Sequence, residues 1–228
     1  MCRQGNKKNQ LRIIDYGLCD YRIALSFQKE LCEQRRNGQI PDTVLVVEHQ
    51  PVITLGVNKP KNRLLKSVEH LSREGIDVVD IRRGGGATAH NPGQLVFYPI
   101  MNLQELGLGI SDYVRELEAI GIELLDQLGV DSGRKKGYPG LWTGEKKIAS
   151  IGVRVSKFIT HHGMAINISN DLNIFSNMIP CGIEGVIMTS ATKEIKSDIP
   201  MQKSKDMLIK LLVKYFSGEG FVEYEKRA

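Results

Sequence analysis

The sequence predicts one α/β domain in which helices flank a mixed, largely antiparallel sheet. Runs of β-branched and apolar residues of strand length fill much of the chain, amphipathic helical spacing is confined to three segments grouped around them, and Gly and Pro punctuate short segments without marking a long linker. In chain order, "LRIID" (Leu11–Asp15) reads as a strand, Leu18 to Arg36 as an amphipathic helix, and "TVLVVEH" (Thr43–His49) as a buried strand. "DVVDI" (Asp77–Ile81) and "LVFYPI" (Leu95–Ile100) are the next strands. Ser111 is the expected cap of a helix running to about Leu128, with Val114, Leu117, Ile120, Leu124, Leu125 and Leu128 at helical spacing. The strands "KKIASIGVRV" (Lys146–Val155) and "HGMAINI" (His162–Ile168) are separated by six residues, a length suited to a hairpin. Ser204 is the expected cap of a last helix ending near Phe216, ahead of Gly218. The polar and basic residues 1–10 read as a flexible tail, and residues 11–228 as the folded unit.

At 228 residues the chain buries enough surface to fold without a disulfide or a metal. No apolar run approaches the ~18 residues that cross a bilayer, which argues against membrane insertion. The cysteines Cys2, Cys19, Cys32 and Cys181 form no CxxC pair and the histidines lack zinc-ligand spacing, so a reducing, cytoplasmic setting without a metal is expected. A net charge of +5, with no Lys/Arg stripe interleaved with aromatics, favours acidic proteins over nucleic acid as partners.

Three stretches bear on chemistry. In "NMIPCGIEG" (Asn177–Gly185), Pro180 fixes a torsion before Cys181 and Gly182 frees the one after, which holds a sulfur at a set angle on a loop. A cysteine used as a core hydrophobe usually lies on a helix or strand face instead, yet on these residues alone a buried, inert thiol remains the alternative reading. In "RRGGGATAHNPGQ" (Arg82–Gln94), the glycines lie between strands, with neither a GK[ST] ending nor a helix to open, so this is neither a phosphate loop nor a dinucleotide fingerprint. Bare backbone there suits close approach to a ligand or N–H groups facing a developing negative charge, and equally a wide turn without a ligand. Strand alternation expects Lys147 to share a face with Ala149, Ile151, Val153 and Val155 while Lys146 points away, and His162 to head a row with Met164, Ile166 and Ile168. A lysine ending an apolar face is either partly desolvated, with a lowered pKa, or snorkels to water.

With these residues in view, the chain resembles the octanoyltransferases of lipoate biosynthesis, within the wider group of lipoate and biotin protein ligases. Five segments carry the resemblance in the family's order: "VVEHQPVITLG", "RGGGATAHNPGQLVFYPI", "GLWTGEKKIASIGVRV", "THHGMAINI" and "NMIPCGI". The resemblance implies an α/β domain with a mixed sheet and an enzyme that moves an octanoyl group from acyl carrier protein to a lysine of a lipoyl domain. The implied acceptors are the lipoyl domains of 2-oxoacid dehydrogenases and the glycine cleavage H protein. It implies Cys181 as the acyl-accepting nucleophile and Lys147 as the catalytic lysine, with His90 and His162 lining the site and Arg83, Gly84 and Gly85 bordering an acyl tunnel. Gly93, Gln94, Ser150, Ile151, Gly152, Gly163 and Ala165 complete the expected substrate-binding set. Ala89 and Asn91 stand where the family often has Tyr and Gly; Asn tolerates the positive φ of a turn, and the lost ring is expected to widen the pocket.

A monomeric enzyme without cofactor or metal is the expectation, because a thioester donor is already activated. Two rivals stand beside it. An ATP-dependent lipoate or biotin protein ligase shares the fold, the glycine loop and the lysine but needs no cysteine. A non-catalytic protein that binds acylated carriers or lipoyl domains needs neither Cys181 nor Lys147.

Overall fold

A computed structural model of the chain describes residues 10–218 and 220–227, so nearly all of the expected amino-terminal tail lies outside the described residues. The first half contains β1 (Leu11–Cys19), α1 (Tyr21–Arg36), β2 (Asp42–His49), β3 (Val52–Leu55), α2 (Val68–Arg73), β4 (Asp77–Asp80), β5 (Thr88–His90) and β6 (Gln94–Ile100). Then come α3 (Leu103–Leu106), α4 (Ile110–Gln127), β7 (Gly133–Lys135), β8 (Tyr138–Thr143), β9 (Lys146–Ser156) and β10 (Ile159–Asn167). The chain closes with β11 (Ile187–Met188), α5 (Ala191–Ile195), α6 (Met201–Leu212) and β12 (Val222–Lys226).

The strands form a main sheet in the order β12-β1-β2-β6-β10-β9-β8-β7, with β11 beside β9, and a small sheet β4-β3-β5. From β2 through β7 every neighbour on the path is antiparallel, while β12, β1 and β2 run parallel. The mixed, largely antiparallel sheet read from the sequence is therefore the one observed. One face packs under α4 and α6: Leu117, Ile120 and Leu124 of α4 and Leu208 and Leu211 of α6 meet Leu95, Phe97, Ala149, Met164 and Ile166. Each such fully buried side chain stabilises the fold by roughly 1.5–3 kcal/mol. The opposite face carries Leu45, Val47, Val96, Tyr98 and Ala165, covered by Leu31 and Cys32 of α1. A third cluster fills the space beneath the small sheet, around Ile53, Leu71, Ala89 and Phe175. Among the described residues no helix is long and apolar enough to cross a membrane.

Three helix starts differ from the sequence reading. The first helix does not begin at Leu18, because β1 continues to Cys19 by pairing Leu18 with Glu48 and Cys19 with His49. Asp20 then caps α1, its carboxylate accepting from Arg22 N at 2.7 Å and Ile23 N at 3.3 Å. Ser111 lies inside α4, whose cap is Gly109. Ser204 is buried within α6, which starts after Pro200; its hydroxyl faces the core with Leu208 and Leu211. In both cases helical φ/ψ begins before the serine: Ile110 opens α4 and Met201 opens α6. Past Leu212 the last helix continues as one π-helical turn, Val213–Ser217, and stops at Gly218, where φ is 61°. The β9–β10 connection is tighter than six residues: only Lys157 and Phe158 intervene, both at positive φ, as a two-residue hairpin turn requires.

The caps are separable by stability. Asp20→Ala is expected to cost about 1 kcal/mol by removing two accepted hydrogen bonds, whereas Ser111→Ala should stay within about 0.5 kcal/mol because no cap is lost. Urea unfolding midpoints of the two variants check this.

Candidate active site

Cys181 sits in the turn Pro180–Gly182, which follows β10 and a short helical turn. Its φ of 56° and ψ of 12° lie in the left-handed region, a conformation that costs a non-glycine residue about 1 kcal/mol or more. The turn is held there by the Cys181 N–H, which donates to Ala87 O at 2.8 Å. The flanking Pro and Gly therefore do what the sequence suggested: they put one sulfur, half exposed, on a strained loop. On one side of Cys181 is a narrow slot of about 40 Å³, and on the other an outer cleft of about 370 Å³ with Lys61, Tyr138 and Glu184 on its walls. The other described cysteines are different. Burial pushes the Cys19 thiol up to about 11 and the Cys32 thiol to about 12, and Cys32 donates to Thr160 O in the core at 3.5 Å.

Lys147 reaches the same face of the sheet as the slot, but not by simple alternation. Leu141 pairs with Ala149 and Trp142 with Lys147, so β9 carries an extra residue, Ile148, opposite β8. Consecutive Leu141 and Trp142 point to opposite faces, and their partners do likewise. Ile148 and Ala149 both enter the core under α4, and Lys147 is turned away from them to stand 4.8 Å over the Trp142 ring. The expected shared face with Ala149, Ile151, Val153 and Val155 is thus corrected by the bulge. Lys147 is fully buried and donates to Pro139 O, so it does not snorkel. Burial lowers its pKa, opposed by negative charge on Cys181 and Glu118. Lys146 instead pairs with Glu194 at 2.7 Å.

The slot runs over this face of β6, β10 and β9, roofed by the amino-terminal end of α1 and the glycine-rich loop. Arg83, Gly85, His90, Ser150, Ile151, Gly152, His162, Gly163 and Ala165 line it together with Cys181, as expected. His162 also escapes alternation: its φ of 59° turns the ring away from the Met164 and Ile166 row toward Tyr98, edge-on at 6.3 Å between centroids. Four of the expected residues lie outside the lining, Gly84, Gly93, Gln94 and Lys147. Gly84 N–H donates to Val153 O at 3.0 Å, Gly93 N–H donates to Glu48 at 3.0 Å, and Gln94 acts on the slot only through His90. The Gln94 amide donates to Asn167 at 2.8 Å, so its oxygen is the acceptor for His90 Nδ1–H at 2.7 Å. This fixes the proton of neutral His90 on Nδ1.

Arg83 is buried with no carboxylate partner among the described residues. Its guanidinium donates to Gly84 O at 3.0 Å, Gly86 O at 2.7 Å, Thr54 O at 2.9 Å and Thr54 Oγ1 at 2.8 Å. The glycine loop therefore wraps a cation with its carbonyls. Gly152 is required opposite, because a Cβ there would stand 2.8 Å from Arg83 Cδ. Gly85 supplies the loop's reversal at φ 85°.

Sequence reasoning missed Tyr21, His49 and Tyr98. Tyr21 stacks on His90 at 5.7 Å, and the Tyr98 hydroxyl donates to His49 Nε2 at 2.8 Å, while His49 Nδ1–H faces Cys19 O at 3.3 Å. Their only sequence signal was His49 within "VVEHQP". Ala89 does not widen the pocket, contrary to expectation: Thr88 and His90 face the slot, and Ala89 packs on the reverse side with Ile53 and Phe175. Asn91 is not in a positive-φ turn; its amide donates to Asp171 O at 2.8 Å and its oxygen accepts from Asn170 at 3.0 Å. The turn's positive φ belongs to Gly93.

Comparison with known proteins follows from this geometry. The model of the lipoyl protein ligase A/B catalytic domain matches residues 20–213. An octanoyltransferase of Roseiflexus sp. (strain RS-1) is 42% identical over 212 residues, 92% of this chain and 88% of the relative. One of Desulfovibrio desulfuricans is 39% identical over 186 residues, 82% of this chain and 78% of the relative. Among solved structures, a putative lipoate protein ligase from T. acidophilum with bound lipoic acid is similar in fold, with a TM-score of 0.74 at 17% identity over 96% of this chain and 89% of that one. The chain belongs to the lipoyl protein ligase A/B catalytic domain family.

The buried imidazoles make stability depend on pH. Burial depresses His49 to about 4 and, with help from the Arg83 charge, His162 to about 3; His90 is likewise held well below its usual range. With folded values below the unfolded 6.5, the unfolded chain binds more protons in acid, so this contribution is complete above about pH 7 and is lost as pH falls. At pH 5 the loss is roughly 2 kcal/mol for each of His49 and His162. Urea midpoints at pH 7.5 and pH 5 should fall less for His162→Asn than for wild type, and an equal fall would show that this imidazole is not held neutral.

Proposed function

We propose that the protein transfers an octanoyl group from the phosphopantetheine thioester of an acyl carrier protein to a lysine of a lipoyl domain, through a thioester on Cys181. The observation that carries this reading is the placement of Cys181. A half-buried sulfur in a left-handed turn stands where a narrow slot of about 40 Å³ meets a larger cleft of about 370 Å³, in a chain about 40% identical to proteins named octanoyltransferase.

In the first half, the Cys181 sulfur attacks the thioester carbonyl, the carbon–sulfur bond to pantetheine breaks, and the departing thiolate takes the proton that Cys181 gave up. In the second, the lysine amine of the lipoyl domain attacks the acyl-enzyme, an amide forms, and the Cys181 sulfur leaves. Lys147 is the proton carrier in both halves: burial favours its neutral amine, and negative charge on Cys181 favours its ammonium form. For that role the amine must leave Pro139 O, which is its ground-state acceptor. The slot holds the acyl chain among neutral imidazoles, tyrosines and apolar groups. The outer cleft admits the pantetheine arm and then the acceptor lysine. Lipoyl domains of 2-oxoacid dehydrogenases and the glycine cleavage H protein are the acceptors in this reading. Both halves exchange an activated acyl group, so nucleotide has no part in the balance.

Intact mass measurement after mixing with octanoyl-acyl carrier protein should show one octanoyl group, mapped to Cys181 and removed by hydroxylamine. Transfer to a lipoyl domain should proceed without nucleotide, while free octanoate with ATP and magnesium should give no product. Product from that mixture with Cys181→Ala as active as wild type would replace this reading with the adenylating ligase.

Lys147→Ala should slow transfer by roughly 10²–10⁴-fold, the usual range for a lost proton carrier. Lys146→Ala, which breaks only the part-exposed pair with Glu194, should slow it far less. Single-turnover rates of the two variants decide the point.

A further inference from the structure

The slot has two ends. At the Cys181 end it shares Gly85, Ile151 and Cys181 with the outer cleft. At the other end lies a second cleft of about 350 Å³, and the one residue that lines both it and the slot is His162. We propose that the His162 ring is an end wall that sets the acyl chain length, closing the slot against this second cleft so that a chain anchored at Cys181 is accepted only up to the ring. The proposal rests on the octanoyl-transfer reading and adds the residue that limits its substrate.

The ring is placed for this by the backbone. His162 is 4% exposed, and its left-handed φ brings the side chain out of the core row and against Tyr98. Its N–H donates to Gln28 Oε1 of α1 at 3.1 Å, which ties the strained residue to the helix that roofs the slot. His162 Nδ1 is buried without a hydrogen-bond partner. Packing of the ring between two spaces, not a polar contact of that nitrogen, is what the position provides. Beyond the ring, Lys29, Asp80, Arg82 and Arg154 line the second cleft together with Leu25 and Ile81, whereas the charged side chain lining the slot is Arg83. A longer apolar chain pushed past the ring would strip water from charged groups, so wall and charge act in the same direction.

The test compares His162→Gly, His162→Asn and His162→Phe. Gly and Asn adopt positive φ readily and shorten the wall; Phe rebuilds a ring without nitrogen. Single-turnover acylation of Cys181 from octanoyl- and dodecanoyl-acyl carrier protein is read by intact mass. Wild type should take dodecanoyl at least about tenfold more slowly than octanoyl, the Gly and Asn variants should bring the two rates within about threefold, and Phe should restore the discrimination. A folded Gly or Asn variant that discriminates as wild type does would overturn the proposal, as would a Phe variant that loses discrimination equally. If neither small variant folds, the ring is a core residue and the wall is likewise overturned. Thermal stabilisation by free octanoate and dodecanoate, measured in Cys181→Ala with and without His162→Gly, reads the wall apart from the chemistry. Dodecanoate should stabilise only the double variant. That pattern without acylation of Cys181 in wild type would sink the transfer reading and leave the wall standing; acylation without that pattern would sink the wall.

Discussion

A buried guanidinium without a carboxylate partner governs this site. Arg83 satisfies its charge with carbonyls of Gly84, Gly86 and Thr54 and the Thr54 hydroxyl, and each contact constrains something else. The glycine loop must curl so that its carbonyls point inward, β3 must lie beside that loop, and β9 must present a glycine where the arginine stem crosses it. The cation also acts at a distance. Together with burial it opposes protonation of His90 and His162, so the rings around the slot stay neutral and the slot suits an alkyl chain. Replacing the arginine would remove one charge and at the same time leave inward-facing carbonyls without donors, which is the more costly loss.

The functional side chains cluster where regular geometry fails. Cys181 and His162 are at positive φ, and Lys147 follows a bulge. Each irregularity redirects one side chain, and the surrounding sheet supplies the packing that keeps it in place. This explains which parts of the site were legible in the sequence. Alternation read the rows of β9 and β10 correctly for Ala149, Met164 and Ile166, which fill the core. It failed for Lys147 and His162, because one extra residue or one left-handed residue reverses a face without leaving any mark in the hydrophobic pattern. The family resemblance singled out both residues; the structure shows how they reach their face of the sheet.

The fold was legible to a similar degree and for a similar reason. Long periodic segments such as α4 and the β9–β10 hairpin were readable, since burial of one face leaves a repeated signature. Element starts were not, because Ser111 and Ser204 satisfy the composition of a cap yet each lies inside its helix. Tyr21 and Tyr98 left no local trace, since their role depends on α1 folding back over β6 to bring His49, His90 and both tyrosine rings together. Ala89 shows the converse. A departure from the family pattern beside a site residue looked significant in the sequence, yet the strand directs it to the reverse face, where it fills a separate cluster.

The pairing of Lys147 with Cys181 follows from opposing electrostatic demands. Burial favours an uncharged amine, while negative charge on Cys181 and Glu118 favours an ammonium. Neither preference alone would suit the proposed two-step transfer: a permanently neutral amine could not release a proton to the departing pantetheine thiol, and a permanently charged one could not accept a proton from Cys181. Because negative charge on Cys181 is one of the two charges that favour the ammonium, Glu118 being the other, acylation of the sulfur in that proposed transfer would shift the amine toward neutrality. In the proposed transfer the lysine would then be ready to take the proton that the incoming amine must lose.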